Sequence, residues 1–142
     1  MPILEHVLLL NFDEMKLENY LNNGKFYIWK GKFAIVKSRK PLPDSFAVIK
    51  DKNEITAIIG QSEINKNKKH IIKIDKNWKI ITFDMILPFG LVGFLAKISK
   101  ILADEKISIF VISAYSTDHI LIKEKDSSKA INRSKSIGLK IK

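Results

Sequence analysis

The sequence predicts an α+β fold, and its second half carries the prediction. Trp78 to Leu87 is rich in Ile, Phe and Met, as a buried strand is, and Pro88-Phe89-Gly90 stops it. Leu91 to Asp104 then places Leu91, Leu95, Ile98 and Leu102 at steps of four, three and four, flanked by Phe94 and Ile101. That stripe belongs to an amphipathic helix. Two more apolar runs follow, Ile107 to Ser113 and His119 to Lys123, separated by the polar turn Ala114-Tyr115-Ser116-Thr117-Asp118.

The first of these runs is nearly continuous, which predicts a strand buried on both faces or at a sheet centre. Asp126 to Ile137 reads as a second helix, with Asp126 as its N-cap, Ala130, Ile131 and Ser134 turned inward, and Gly138 as its C-cap. Leu139 to Lys142 closes the chain as a short strand. The order is β-α-β-β-α-β, the split βαβ arrangement, with two helices on one face of a four-stranded antiparallel sheet.

The first half is less regular. Residues 1–22 have loosely helical apolar spacing, although Val7-Leu8-Leu9-Leu10 also suits a strand, and Asn22-Asn23-Gly24 marks a turn. Phe26 to Trp29 and Phe33 to Val36 read as strands. Lys30-Gly31 between them fits either a hairpin turn or a bulge in one bent strand. Pro41-Leu42-Pro43 breaks the pattern. Phe46 to Lys50 and Glu54 to Ile59 form a hairpin about Asp51-Lys52-Asn53. Gln61 to Lys69 is a short helix or a loop, Ile71 to Ile74 a strand, and Asp75-Lys76-Asn77 a turn.

Composition narrows the function classes. The chain has 142 residues, 46% apolar and 28% charged, enough for a real core. It contains no cysteine, which excludes disulfides, thiolate metal sites and a cysteine nucleophile. No apolar run reaches a membrane span, and the N-terminus lacks the marks of a signal peptide, so a cytoplasmic location is expected. The net charge is +10, carried almost wholly by lysine, with arginine only at Arg39 and Arg133. Spread along a chain also rich in Ile and Asn, these lysines read as a solvated surface and argue against a nucleic-acid partner.

Residues 87–99, with the continuation through Ser113 and Lys123, resemble the strand-loop-helix and following strands of ACT domains. The sequence is similar to the small bacterial tandem-ACT proteins, whose domains resemble the regulatory part of aspartate kinases and the cytosolic arginine sensors. The resemblance implies two ferredoxin-like modules: residues 25–75 as a degenerate first ACT domain and residues 76–142 as the second. Residues 1–24 form an extension beyond the pattern. It also implies a regulatory protein rather than an enzyme, a homodimer, no cofactor, and a small ligand, an amino acid, bound at an interface between modules or protomers.

Two segments are the candidate ligand-binding residues. Pro88, Phe89, Gly90, Leu91, Val92 and Gly93 form a loop at a helix N-terminus, where unpartnered N–H groups and the helix dipole favour a carboxylate. The glycines would let a ligand approach the backbone, and they equally suit a turn and a helix-packing contact. Ala114, Tyr115, Thr117 and Asp118 form the second set. In the arginine sensors the corresponding loop closes over the ligand, and the resemblance gives Asp118 the part of reading its side chain. The same residues also suit a tight self-capped turn. Asp84 and Met85 are further candidates for the pocket wall.

No catalytic constellation is present in the sequence. His6, His70 and His119 are scattered, without metal-ligand spacing, and there is no P-loop or GxSxG context. An RNA-binding module of the same split βαβ topology is the alternative, and a purely structural dimerisation module is a third. Against the RNA reading, Ile107 to Ser113 offers only Phe110 as an aromatic and no basic residue.

Overall fold

The computed structural model describes residues 17–87 and 93–142. The chain divides into two compact units, residues 1–28 with 81–142, and residues 29–80. The long strand β5 (Ile71–Phe83) passes from the second into the first.

The unit of residues 29–80 is built on β2 (Phe33–Ser38), β3 (Ala47–Lys50), β4 (Ile55–Gly60) and the first part of β5, in the order β3-β4-β2-β5. Alternation along β2 sends Ala34 and Val36 to one face. There they meet Leu42, Ala57, Ile59 and Ile64, the last from a helical segment over residues 61–70 that includes α2 (Ile64–Asn67). Trp29, Phe33 and Phe46 form an edge-to-face aromatic group, with Trp29 and Phe46 centroids 5.0 Å apart. The β3–β4 hairpin forms as its sequence suggests. The Asp51 carboxylate accepts N–H bonds from Asn53 at 2.7 Å and Glu54 at 2.9 Å, which close the turn and lower the Asp51 pKa.

Asp75-Lys76-Asn77 does not end a strand, contrary to the sequence expectation. The register runs from Phe33↔Trp78 to Ile35↔Asp75, so β5 spends three steps where β2 spends two. Such an extra residue is a β-bulge, and the positive φ of 69° at Asn77 accommodates it. Local turn chemistry is the same for a bulge and a chain reversal, and only the partner strand separates them. Nor do the two early strands form a hairpin. β2 pairs β4 and β5, while β1 (Lys25–Ile28) pairs β5 and β8 (Lys140–Ile141).

The other unit contains the split βαβ order: the end of β5, α3 (Phe94–Asp104), β6 (Ile109–Ser113), β7 (Asp118–Lys123), α4 (Ser127–Ser136) and β8. Its strands lie in the order β6-β7-β5-β1-β8, five rather than the four expected. β1 stands between β5 and β8, antiparallel to the first and parallel to the second. Phe26 on β1 is fully buried beside Phe83, so residues 25–28 belong to this unit. Residues 17–21, helical and here called α1, add Leu17, Tyr20 and Leu21 to the same core. Gly138 has φ 106°, and a β-carbon there would lie 3.0 Å from the Leu21 carbonyl oxygen, so the end of α4 closes directly on residues 21–22.

The helix faces are set by packing. α3 buries Phe94, Ile98, Ile101 and Leu102, a stripe turned slightly from the one anticipated, and Leu95 is only half-buried. α4 buries Ala130 and Ser134, whose hydroxyl donates to the Ala130 carbonyl. Asp126 occupies the N-cap position of α4 but makes no side-chain cap; the Ser127 hydroxyl instead donates to the Glu124 carbonyl. β6 pairs β7 alone among the described strands, and Val111 is exposed. Among the described strands it lies at an edge, not at the sheet centre that its apolar run suggests. Among the described residues, no helix is long and apolar enough to cross a membrane.

Candidate functional site

The site forms where α3 begins over the sheet. Gly93 is the N-cap of α3 with φ 92°, a conformation glycine adopts without strain, and it makes no side-chain cap. The first regular bond runs from the Lys97 N–H to the Gly93 carbonyl at 2.9 Å. The N–H groups of Phe94, Leu95 and Ala96 therefore precede the helical ladder, and the positive end of the helix dipole lies with them.

Strand alternation supplies the opposite wall. Ile120 and Ile122 face the helices in the core, so Asp118, two residues earlier on β7, shares their face. Its cross-strand partner Ser113 is on that face as well. The turn from Ala114 to Thr117 is closed by the Ala114 N–H donating to the Thr117 carbonyl at 2.8 Å. The Leu87 N–H donates to the Ser116 carbonyl at 2.7 Å and holds the turn against the end of the preceding segment.

Together these elements line an open-sided cavity of about 460 Å³, a size typical of small-molecule sites. Gly93, Leu95 and Ala96 stand on one side, and Ser113, Ala114, Tyr115, Thr117 and Asp118 on the other. Gly93 and all four residues of the second candidate set thus meet at one cavity. Pro88, Phe89, Gly90, Leu91 and Val92 lie outside the described residues. Tyr115 is at the rim with 81% of its surface exposed. Leu87, Phe94, Leu95, Ala96, Ser113 and Ser116 were not among the sequence candidates. Leu95 and Phe94 fall on or beside the apolar stripe that reads as core and Leu87 ends an apolar run, while Ala96, Ser113 and Ser116 are small positions without a side-chain signal.

Asp84 and Met85 are not on this cavity's wall. The Asp84 carboxylate pairs with the Lys142 ammonium, its N–H donates to the Lys25 carbonyl, and Met85 packs against the core. A second depression, about 450 Å³, lies among Leu17, Glu18, Asn22, Lys97 and Ile137.

Behind the turn, His119 points to the face away from the helices. Its Nδ1 shares a hydrogen bond with the Thr82 hydroxyl at 2.8 Å and its Nε2 a longer one with the Thr117 hydroxyl at 3.4 Å. Burial disfavours the imidazolium and lowers the His119 pKa, while the charge of Asp118 opposes that shift. The imidazole thus ties the cavity turn to the buried Thr82 of β5. Among the described residues, no group of three or more His, Cys, Asp or Glu side chains is placed to hold a metal ion.

The fold is α+β and ferredoxin-like in its second half. A family model described as "ACT domain" matches residues 73–133. No curated protein matches the sequence. Among solved structures, a protein from Agrobacterium tumefaciens superposes with a TM-score of 0.72 at 20% identity, over 84% of this chain and 92% of its own. A Vibrio cholerae protein of unknown function, described as a possible transport protein, has a TM-score of 0.69 at 18% identity, over 86% and 95%. The ligand-free regulatory subunit of aspartate kinase from Thermus thermophilus has a TM-score of 0.60 at 7% identity, over 82% and 98%. At these identities the likeness concerns the fold.

Proposed function

We propose that this protein is a non-catalytic regulatory ACT protein that binds an amino acid in the cavity between the start of α3 and the β6–β7 turn. In this reading residues 29–80 supply the core of a degenerate first ACT domain. The observation that carries the binding assignment is the juxtaposition of the uncapped first turn of α3 and Asp118 across one cavity. The ligand carboxylate takes the N–H groups of Leu95 and Ala96, with Gly93 leaving room for its approach. Asp118 takes the ammonium group or a cationic side chain through a charge-assisted hydrogen bond. Thr117 and the rim residue Tyr115 close over the ligand.

The regulatory output is a change in the arrangement of two protomers. The edge of β6 that no described strand covers, with Val111 exposed, suits association with a second copy of the chain. A ligand that binds one arrangement better shifts the population toward it. A thermal-shift screen of the twenty amino acids, on wild type and on Asp118→Ala, tests the assignment. One or a few cationic or polar amino acids are expected to stabilise the wild type. Asp118→Ala is expected to weaken that ligand by about ten- to a hundredfold, as loss of a charged hydrogen bond does. No stabilisation by any amino acid, or equal stabilisation of both proteins, contradicts it.

A further inference from the structure

The net charge is not shared by the two units. Residues 29–80 hold 13 Lys and Arg against 5 Asp and Glu, a net of +8 in 52 residues. The whole chain holds 25 against 15, which leaves 12 against 10, a net of +2, for the other 90 residues. Acidic residues are about equally sparse in both. The excess is therefore one of lysine, confined to one unit. A general bias toward lysine in the composition would raise both units alike.

The structure draws part of this excess together. Lys37 lies between buried Val36 and Ser38 and so projects from the opposite face of β2. Its cross-strand partner on β5 is Lys73, a like-charge pair in direct register. Such pairs are destabilising. Two residues along, the Arg39 N–H donates to the His70 carbonyl at 2.8 Å, and the Arg39 guanidinium to the Lys69 carbonyl at 3.3 Å. Lys40 and Lys69 are exposed beside them. The imidazole of His70 registers the crowding: desolvation and then Lys40, Lys69 and Arg39 lower its pKa. Among the described residues, none of Lys37, Arg39, Lys40, Lys69 and Lys73 forms an ion pair with an acid.

We propose that this end of the β2–β5 ladder is a docking surface for the phosphate backbone of a nucleic acid, bound without sequence preference. This use of residues 29–80 is independent of the amino-acid cavity. A cluster of mutually repelling cations is relieved by a polyanion, and phosphates spaced along a strand provide one. The exposed large apolar residues of this unit, Val48, Ile49, Ile72 and Ile74, are between 39% and 47% exposed. None protrudes as an anchor for a lipid surface, whereas the ammonium groups do reach solvent. Lysine point charges in place of arginine forks suit backbone contact and not base reading.

The test is fluorescence anisotropy with labelled 30-nucleotide single-stranded and duplex oligonucleotides at 50 and 200 mM KCl. With four phosphates contacted, the affinity of the wild type falls about 50- to 150-fold between the two salts. Lys37→Gln/Lys73→Gln removes two contacts and leaves a fall of about tenfold. Lys125→Gln/Lys129→Gln, in the other unit, binds as the wild type does. Thermal unfolding without oligonucleotide is expected to leave the cluster variant at least as stable as wild type; if it unfolds early, Lys40→Gln/Lys69→Gln replaces it. Equal affinity and salt dependence in the cluster and control variants overturn the proposal. So does binding that is seen only with phosphatidylserine vesicles and lost in the cluster variant.

Discussion

Replacing Phe26 with alanine examines how the chain is divided. Phe26 is fully buried, its ring centroid 6.5 Å from that of Phe83, and β1 places the two in direct register. Removing a large buried side chain from a packed core costs about 3–5 kcal/mol, because the cavity closes only in part. Against a total stability on the order of 5–15 kcal/mol for a domain, that is a large fraction. The loss should fall on the unit to which Phe26 belongs. Hydrogen exchange followed by mass spectrometry reads this directly, under conditions where the units open separately. Protection is expected to drop in the peptide covering Asp118–Lys123 and to persist in that covering Phe33–Ser38. The reverse pattern, or a cost below about 1 kcal/mol in urea unfolding, would refute the assignment of β1 to the core of α3 and α4.

Other substitutions probe single contacts. Gly138→Ala forces a side chain into the left-handed region and against the Leu21 carbonyl; a loss on the order of 1–3 kcal/mol is expected in thermal unfolding. A negligible change would mean that residues 21–22 do not pack there. The lowered pKa of His119 means that the unfolded chain takes up its proton first as pH falls. Its neutral, half-buried form therefore contributes stability that is present above the ordinary histidine value and lost as pH falls below it toward the folded value. His119→Asn should flatten the dependence of the unfolding midpoint between pH 8 and 5 relative to wild type, with His70 present in both proteins as a common background. Asp51 has the carboxylate sign: its turn-closing contribution is present above the ordinary carboxylate value and lost as pH falls through its lower folded value. Hairpin amide exchange in Asp51→Ala should thus differ from wild type at neutral pH and converge with it in strong acid.

The features written locally were legible in the sequence. Asp51-Lys52-Asn53 closes a hairpin through its own side chain, and Gly138 ends α4 at a positive φ. The β-α-β-β-α-β order of residues 78–142 follows from periodicity and turns. What was not legible depends on partners distant in sequence. Asn77 has the same turn chemistry in a bulge as in a reversal, and only its register against β2 decides. The apolar run of β6 looks central, yet among the described strands it lies at an edge and lines a cavity with the same residues. β1 joins β5 and β8 across most of the chain length, a pairing that no local pattern announces. At the cavity, Asp118 and Gly93 carried a signal because their residue types are unusual where they stand. Leu95 and Ala96 contribute backbone N–H groups, which every residue has.

Residues of that kind are followed best by their amides. Nuclear magnetic resonance titration of the isotopically labelled protein with the amino acid that stabilises it most reports on each N–H in turn. Binding at the proposed site predicts saturable shifts concentrated at Gly93, Leu95, Ala96 and Ala114 to Asp118, and their loss in Asp118→Ala. Shifts centred on the depression of Leu17, Glu18 and Lys97, or on residues 29–80, with the cavity amides unmoved, would contradict it.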